Sequence, residues 1–157
     1  EEMMKIKKIQ SIICVAIFFL CSNHVWAADW IFLGASDVGD IYYDKSSVKK
    51  INKSMIRVWT KTILNKDRKR HYFLFLKSIN EAPDKPDIIN YELMLNEIDC
   101  AKTQGRFSSM AIHYDTEDII YRGPTSFSQW MAIDSRSTMR ILKNKVCSAG
   151  TKLKKNK

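Results

Sequence analysis

The sequence lacks an apolar segment long enough to cross a lipid bilayer. Its main hydrophobic run, Ile12 to Leu20, has nine residues, whereas a transmembrane helix needs about 20. Three lysines precede this run, and a small-residue site at Val25 to Ala27 follows it. This order of features is typical of a secretory signal peptide. We therefore expect residues 1–27 to be removed and residues 28–150 to form one exported domain.

The sequence also lacks the motifs of the common catalytic sites. It contains no Gly-x-Ser-x-Gly, no His-Glu-x-x-His and no Walker-type phosphate loop. Glu97 and Asp99 lie two residues apart, as paired catalytic carboxylates can, but solvated charges at a strand end explain them more simply. His113 is most simply a hydrogen-bonded surface histidine. The sequence therefore favours a protein without enzymatic activity and without a cofactor.

Cysteine is scarce, and half of it lies in the expected signal peptide. Removal of residues 1–27 leaves two of the four cysteines, Cys100 and Cys147. Two cysteines in an oxidising compartment usually form a disulfide. Closing a loop of nearly fifty residues stabilises a fold by roughly 4 kcal/mol in the chain-entropy model. Lipid attachment at Cys21 is a less favoured alternative, because lipoprotein processing requires a small residue where Leu20 stands.

Two other roles remain open for the remaining cysteines. A structural zinc ion needs about four ligands, and the exported chain would keep only His71 and His113 beside the two thiols, without a closely spaced pair. A catalytic cysteine needs a base nearby, and nothing in the sequence places either histidine beside Cys147. The disulfide is the favoured interpretation, and we expect no metal site.

Positive charge is abundant and unevenly distributed. The chain has 26 Lys and Arg against 17 Asp and Glu, a formal net charge of +9. The densest basic group is Lys66, Arg68, Lys69 and Arg70. Long-range attraction favours anionic partners, which for an exported protein are acidic polysaccharides, lipid headgroups or acidic protein surfaces rather than nucleic acid. These four residues are the predicted partner-binding site, with a solvated surface as the alternative.

Short segments rich in aromatic and β-branched residues predict a sheet. The expected strands are Trp30–Gly34, Asp40–Asp44, Met55–Leu64, Ile88–Cys100, Gly105–Tyr114 and Ile119–Gly123. The first two strands flank a turn-rich segment and suggest a hairpin. Met55–Leu64 alternates, with Ile56, Val58 and Leu64 on one side. The short connections between the last three strands predict an antiparallel meander.

The segment from Asp67 to Ile79 is ambiguous between helix and strand. Tyr72 to Leu76 is a continuous apolar run, but Phe73, Leu74 and Leu76 lie near helical spacing and Asp67 can cap a helix. The prolines that follow end whatever precedes them. We expect a short amphipathic helix, with a strand as the alternative.

The C-terminal segment has a helical period. From Ser135 onward, Met139, Leu142 and Val146 form an apolar stripe. Asp134 or Ser135 is the expected cap, and Gly150 permits the helix to end. A disulfide from Cys147 would join this helix to the preceding sheet. The basic tail, residues 151–157, is expected to be disordered.

A set of short motifs resembles the bacterial surface-adhesin protein E family. The motifs occur in order along the chain: Tyr42–Lys45 (YYDK), Val58–Lys61 (VWTK), Glu97–Cys100 (EIDC) followed by Arg106, Trp130 with Ile133, and Leu142–Cys147. The resemblance runs from Trp30 to Cys147. Trp59 and Trp130 are interpreted as core or sheet-covering residues rather than as ligand platforms.

The resemblance implies an α+β fold, namely a small curved antiparallel sheet of about six strands with a C-terminal helix held by the Cys100–Cys147 disulfide. Adhesin members of the family bind host proteins such as vitronectin and laminin. The sequence departs from the family at Asp134, where a proline is common, and it lacks the lipid-attachment signal of lipid-anchored members. Fold therefore carries over more securely than activity.

Three functions are consistent with these features. The favoured one is an exported, non-enzymatic binding protein of the bacterial envelope that recognises a host matrix or serum protein or an anionic polysaccharide. It would reside in the periplasm, at the cell surface or outside the cell. The second is a structural protein that self-associates through exposed strand edges, for example as a homodimer. The least favoured is a periplasmic enzyme that uses Cys147 or His113.

Overall fold

The structure is a computed structural model that describes residues 27–116, 118–123 and 129–152. These residues form one eight-stranded sheet and two α-helices. The strands are β1 Trp30–Ser36, β2 Gly39–Asp44, β3 Lys49–Lys50, β4 Met55–Leu64, β5 Ile89–Asp99, β6 Gln104–Tyr114, β7 Ile119–Gly123 and β8 Met131–Ala132. The helices are α1 Lys66–Ser78 and α2 Thr138–Lys152.

The sheet is antiparallel and follows the chain order closely. The strands are arranged β1-β2-β4-β5-β6-β7, while the two-residue strands β3 and β8 pair with β4 and β6. The predicted hairpin and the predicted meander are both present. α1 lies in the connection from β4 to β5 and interrupts no strand pairing. The expected α+β architecture, an antiparallel sheet with a C-terminal helix, is confirmed.

The alternation of β4 places every second residue inside. Ile56, Val58 and Leu64 are buried, as the sequence predicts, and Thr60 and Thr62 are buried between them. Since side chains separated by an even number of positions share a face of a strand, all five point to the same side of the sheet.

Both helices pack on this same face of the sheet. Val58 belongs to the apolar cluster that contains Leu142 and Val146 of α2. Leu64 belongs to a second cluster that contains Leu76 of α1. Because Val58 and Leu64 share one face of β4, α1 and α2 lie side by side there. Among the described residues, no helix covers the opposite face, which we call the open face.

The ambiguous segment after β4 is a helix, as expected, but its cap differs from the expected one. The Asn65 side chain caps α1 by accepting a hydrogen bond from the Arg68 backbone N–H at 2.9 Å. The expected cap, Asp67, lies inside the first turn. The buried residues of α1 are Tyr72 and Leu76, whereas Leu74 is 58% exposed. The continuous apolar run concealed which of its members face the sheet.

The stripe predicted for the C-terminal helix is confirmed, but both expected ends are wrong. Leu142 and Val146 are buried, and Met139 packs against them. Ser137, rather than Asp134 or Ser135, accepts a hydrogen bond from the Arg140 backbone N–H, at 3.3 Å. Asp134 instead closes the preceding turn through the Arg136 backbone N–H. The helix continues past Gly150 to Lys152, since glycine permits termination without imposing it.

The predicted disulfide joins Cys100 to Cys147, with their Cα atoms 5.9 Å apart. Cys100 directly follows β5, and Cys147 lies on α2, so the bridge ties the helix to the end of a central strand. No helix within the described ranges is long and apolar enough to cross a membrane. Residues 1–26 of the predicted signal peptide and residues 153–157 of the predicted tail lie outside the described residues.

Candidate functional site

The predicted basic cluster lies at the start of α1, where its members differ in environment. Lys66 and Arg70 are exposed. Lys69 is half-buried, and its Nζ donates to the backbone carbonyl of Asp87 at 3.3 Å. The described residues contain no carboxylate within ion-pair distance of these three cations. Their charge is therefore available to a partner.

The exposed side of α1 combines positive charge with an apolar side chain. Lys66, Arg70, Leu74 and Lys77 follow one another at intervals of four, four and three residues, so they lie along one line of the helix. Leu74 is exposed at its centre. We call these four residues the α1 stripe. Such a surface can attract an anionic partner over a distance and then bury an apolar contact.

Arg68, the fourth member of the predicted cluster, is turned toward the sheet. Its guanidinium lies 4.6 Å from the centre of the Tyr72 ring, and its Nη2 donates to the Tyr72 hydroxyl at 3.1 Å. The Tyr72 hydroxyl donates in turn to the Glu92 carboxylate. Burial, and then the Glu92 carboxylate, raise the pKa of Tyr72 well above its ordinary value of 10.0. Tyr72 therefore stays protonated and links the two charged groups.

This chain of polar groups borders a cleft between the two helices. The cleft has a volume of about 260 Å³. Its floor is formed by four buried polar residues of β4 and β5, namely Thr60, Thr62, Glu92 and Asn96. Met94 lies between Glu92 and Asn96 on the same face of β5. The rest of the lining is mainly apolar and includes Leu33, Ile41, Phe107, Met139 and Leu142. Arg68 lies at its edge on α1.

On the open face, Glu97 forms salt bridges with two arginines of the neighbouring strands. Arg57 Nε donates to Glu97 Oε1 at 2.9 Å, and Arg106 Nε donates to Oε2 at 2.7 Å. Burial raises the pKa of Glu97, but the hydrogen bonds from both arginines outweigh this effect, so the pKa lies below its ordinary value of 4.5. The interpretation of Glu97 as a solvated charge is wrong, because the carboxylate is 3% exposed and paired on both sides.

Aromatic rings and cations cover one another elsewhere on the open face. Lys61 Nζ lies 4.1 Å from the centre of the Tyr91 ring, and His113 stacks on the same ring at 4.6 Å. His113 is 7% exposed, so its interpretation as a surface histidine is wrong. Trp130 lies 4.8 Å from the Arg106 guanidinium. This contact agrees with the sheet-covering role expected of Trp130.

The structure removes the thiol on which a cysteine-based site would depend. Cys147 is bonded to Cys100, so it offers neither a nucleophile nor a metal ligand in the oxidised protein. Within residues 27–116, 118–123 and 129–152, no three His, Cys, Asp or Glu side chains are arranged to hold a metal ion.

Asp99 accepts hydrogen bonds from the backbone N–H groups of Ala101 and Lys102 and thereby closes the β5–β6 turn.

Sequence reasoning missed the floor of the cleft. Thr60, Thr62, Glu92 and Asn96 belong to strands that the sequence identifies, but polar residue types suggest exposure, and these four are buried. The available signal was the parity of the positions, since Thr60 and Thr62 occupy the same side as Ile56 and Val58.

Comparison with known proteins agrees with the motif resemblance. The family model described as surface-adhesin protein E matches residues 30–148. The crystal structure of protein E from non-typeable Haemophilus influenzae shares 12% sequence identity with a TM-score of 0.53, covering 83% of this chain and 82% of that one. Another structure of Haemophilus influenzae protein E shares 11% sequence identity with a TM-score of 0.52, covering 77% of this chain and 86% of that one. No curated protein matches significantly. Identities this low establish the fold alone.

Proposed function

Because this chain belongs to the surface-adhesin protein E family, we propose that it is an exported, non-enzymatic adhesin that binds a host extracellular-matrix or serum protein. Family membership supports the role of a surface adhesin. Residues 1–27 would direct export and be removed in the process, and the folded domain would act outside the cytoplasm, where the disulfide persists. An anionic polysaccharide is the alternative ligand.

The proposed binding surface is the basic cluster Lys66, Arg68, Lys69 and Arg70 together with the adjoining α1 stripe. The observation that carries this assignment is the side-by-side exposure of Lys66 and Arg70, neither of which pairs with a described acidic residue. Exposed charges of this kind change the stability of the fold little. Because no described acidic residue neutralises Lys66 and Arg70, their full charge can attract a partner. Arg68 lies on the sheet side of α1, where it donates a hydrogen bond to the Tyr72 hydroxyl.

The arginines of the open face are a weaker alternative for the same role. Arg57 and Arg106 share the single carboxylate of Glu97, and Arg106 is also covered by Trp130. Because one carboxylate partly neutralises both arginines, they offer less to an anionic partner than the unpaired cations of α1. The adhesin role is therefore assigned to the helix side of the molecule.

The test compares two variants that lose the same charge at different places. Lys66, Lys69 and Arg70 are replaced by alanine in one variant, which retains Arg68 because that residue also packs against Tyr72. The control carries Lys53→Ala, Arg136→Ala and Lys145→Ala, all at exposed positions. Binding to immobilised vitronectin, laminin and heparin is measured at low and physiological salt.

We expect the α1 variant to bind about tenfold more weakly at low salt and the control to bind nearly as wild type does, because each exposed cation contributes about 0.2–1 kcal/mol. Wild-type affinity should fall with increasing salt. Unchanged binding by the α1 variant would remove this surface from consideration. An equal loss in both variants would mean that net charge, rather than a particular surface, carries the interaction.

An open sheet also favours a second function, self-association. β1 and β7 are the edge strands of the six-strand path, and each has one partner within it. An unpaired edge can add a strand from another copy. Multi-angle light scattering of the purified exported domain tests this alternative. A monomer across the accessible concentration range would eliminate edge pairing as the principal role.

A further inference from the structure

The polar floor of the cleft is unusual for its position in the sheet. Four side chains of the two central strands have exposures of 8% for Thr60, 5% for Thr62, 3% for Glu92 and 1% for Asn96. Burying polar groups is costly unless they are hydrogen-bonded. The same face becomes apolar under each helix, so the polar residues are confined to the floor of the gap. Packing of the sheet does not explain this confinement.

The internal hydrogen bonds use the donors of the floor and leave acceptors toward the cleft. Asn96 Nδ2 donates to Thr60 Oγ1 at 2.8 Å and to the Met94 carbonyl at 3.0 Å, so the amide can present only Oδ1. Glu92 uses Oε2 to accept from Tyr72 and has Oε1 remaining. Thr62 adds a hydroxyl that can donate or accept. A complementary ligand must therefore bring hydrogen-bond donors, and a primary ammonium group brings three.

The charges around the cleft favour a ligand that carries an anionic group beside its ammonium group. Arg68 compensates the negative charge of Glu92 through the Tyr72 hydroxyl that lies between them. A simple cation would meet both the attraction of Glu92 and the repulsion of Arg68. A ligand with a carboxylate next to its ammonium group places opposite charge near each of the two residues.

The walls and the size of the cleft define the remainder of the ligand. Aliphatic side chains, two methionines and one phenylalanine complete the lining of the cleft. Pockets for drug-sized molecules occupy about 300–1,000 Å³, whereas this cleft holds about 260 Å³. The space therefore suits a small molecule with one apolar side chain. We propose that the cleft between α1 and α2 binds a free apolar α-amino acid, with the ammonium group on Glu92 and Asn96, the carboxylate toward Arg68, and the side chain against the apolar walls.

This binding site is distinct from the adhesin surface except at Arg68, which lines the cleft, whereas the α1 stripe lies on the exposed side of the helix. Binding would be measured by isothermal titration calorimetry on the folded, disulfide-bonded domain, with L-leucine as the probe. Two analogues separate the contributions of its polar groups: 4-methylpentanoate lacks the ammonium group, and 3-methylbutylamine lacks the carboxylate. We expect saturable binding of L-leucine and at least about tenfold weaker binding of each analogue, since hydrogen bonds to charged groups are the strong ones.

Two variants test the floor directly. Glu92→Gln keeps the shape and an acceptor for Tyr72 but removes the charge, and Thr62→Val removes a hydroxyl with little change in shape. Each should weaken L-leucine binding about tenfold or more, while Glu81→Gln, at an exposed position, should leave it unchanged. Thermal unfolding of every variant verifies that the domain remains folded. The proposal is overturned by the absence of saturable binding, by equal binding of 3-methylbutylamine, or by unchanged binding in both floor variants.

Discussion

Removal of the Cys100–Cys147 disulfide should cost the protein a large share of its stability. The bridge joins residues separated by 47 positions. The chain-entropy model assigns about 4 kcal/mol to a loop of this length, mainly through restriction of the unfolded chain. Single domains unfold with a free energy of about 5–15 kcal/mol. We therefore expect Cys100→Ala/Cys147→Ala to retain the fold with its free energy of unfolding lowered by about 4 kcal/mol.

The packing of α2 explains why the fold should survive this change. Leu142 and Val146 are each 2% exposed and contact the sheet cluster around Val58 independently of the sulfur atoms. Far-ultraviolet circular dichroism of the double variant should therefore match that of the oxidised wild type in the absence of denaturant. The loss should appear in the urea midpoint, with the unfolding slope nearly unchanged.

Reductant supplies the matching control. Reduced wild type should unfold at nearly the same urea concentration as the double variant, and reductant should leave the double variant unaffected. A loss below about 1 kcal/mol in both samples would contradict the loop-closure reasoning. Unfolding of the double variant in buffer would instead show that the apolar contacts of α2 are too weak to hold it without the bridge.

Three further outcomes follow from single positions. Leu142→Ala should lower the free energy of unfolding by about 2–5 kcal/mol, whereas Ile141→Ala, at a side chain 40% exposed on the same helix, should change it far less; similar losses would contradict the observed orientation of α2. Because the folded pKa of Glu97 lies below its ordinary value of 4.5, its stabilisation is present above that value and is lost as the pH falls through the folded pKa. The stability difference between wild type and Glu97→Gln should therefore shrink in acid, and a constant difference in urea titrations between pH 7 and pH 3 would argue against the ion pair. Gly39 has φ +139°, and the methyl group of Gly39→Ala would collide with a carbonyl oxygen of β4. Gly34 has φ +156°, and the methyl group of Gly34→Ala would meet nothing within 4 Å. Gly39→Ala should therefore lower the stability more than Gly34→Ala, and the reverse order in thermal unfolding would refute this account.

The strands were predictable because their signal is local. An alternating strand such as Met55–Leu64 repeats every two residues, and this period can be read without knowing any neighbour. The amphipathic stripe of α2 was predictable for the same reason, with its own period. Helix ends were less predictable, because several candidate caps stand close together. Asn65 and Ser137 are the residues whose side chains accept the capping hydrogen bonds, and neither was the expected cap.

The candidate binding regions were also predictable only in part. The sequence identifies a dense basic cluster, but the helical arrangement turns Arg68 inward and leaves Lys66 and Arg70 outside. Glu92, which lies 24 positions beyond Arg68 in the chain, joins it through Tyr72 only after α1 folds over the sheet. No local pattern could have connected these residues.

The sequence by itself determined the two-cysteine pairing, the antiparallel strands, the apolar stripe of the last helix and the membership in an adhesin family. Each of these properties depends on composition, on short periods or on the order of short motifs. Tertiary structure alone decided that both helices share one face, that Glu97 is neutralised by two arginines, and that four polar side chains meet beneath a cleft. These properties depend on strand register and helix docking, which bring together residues that are distant in the chain.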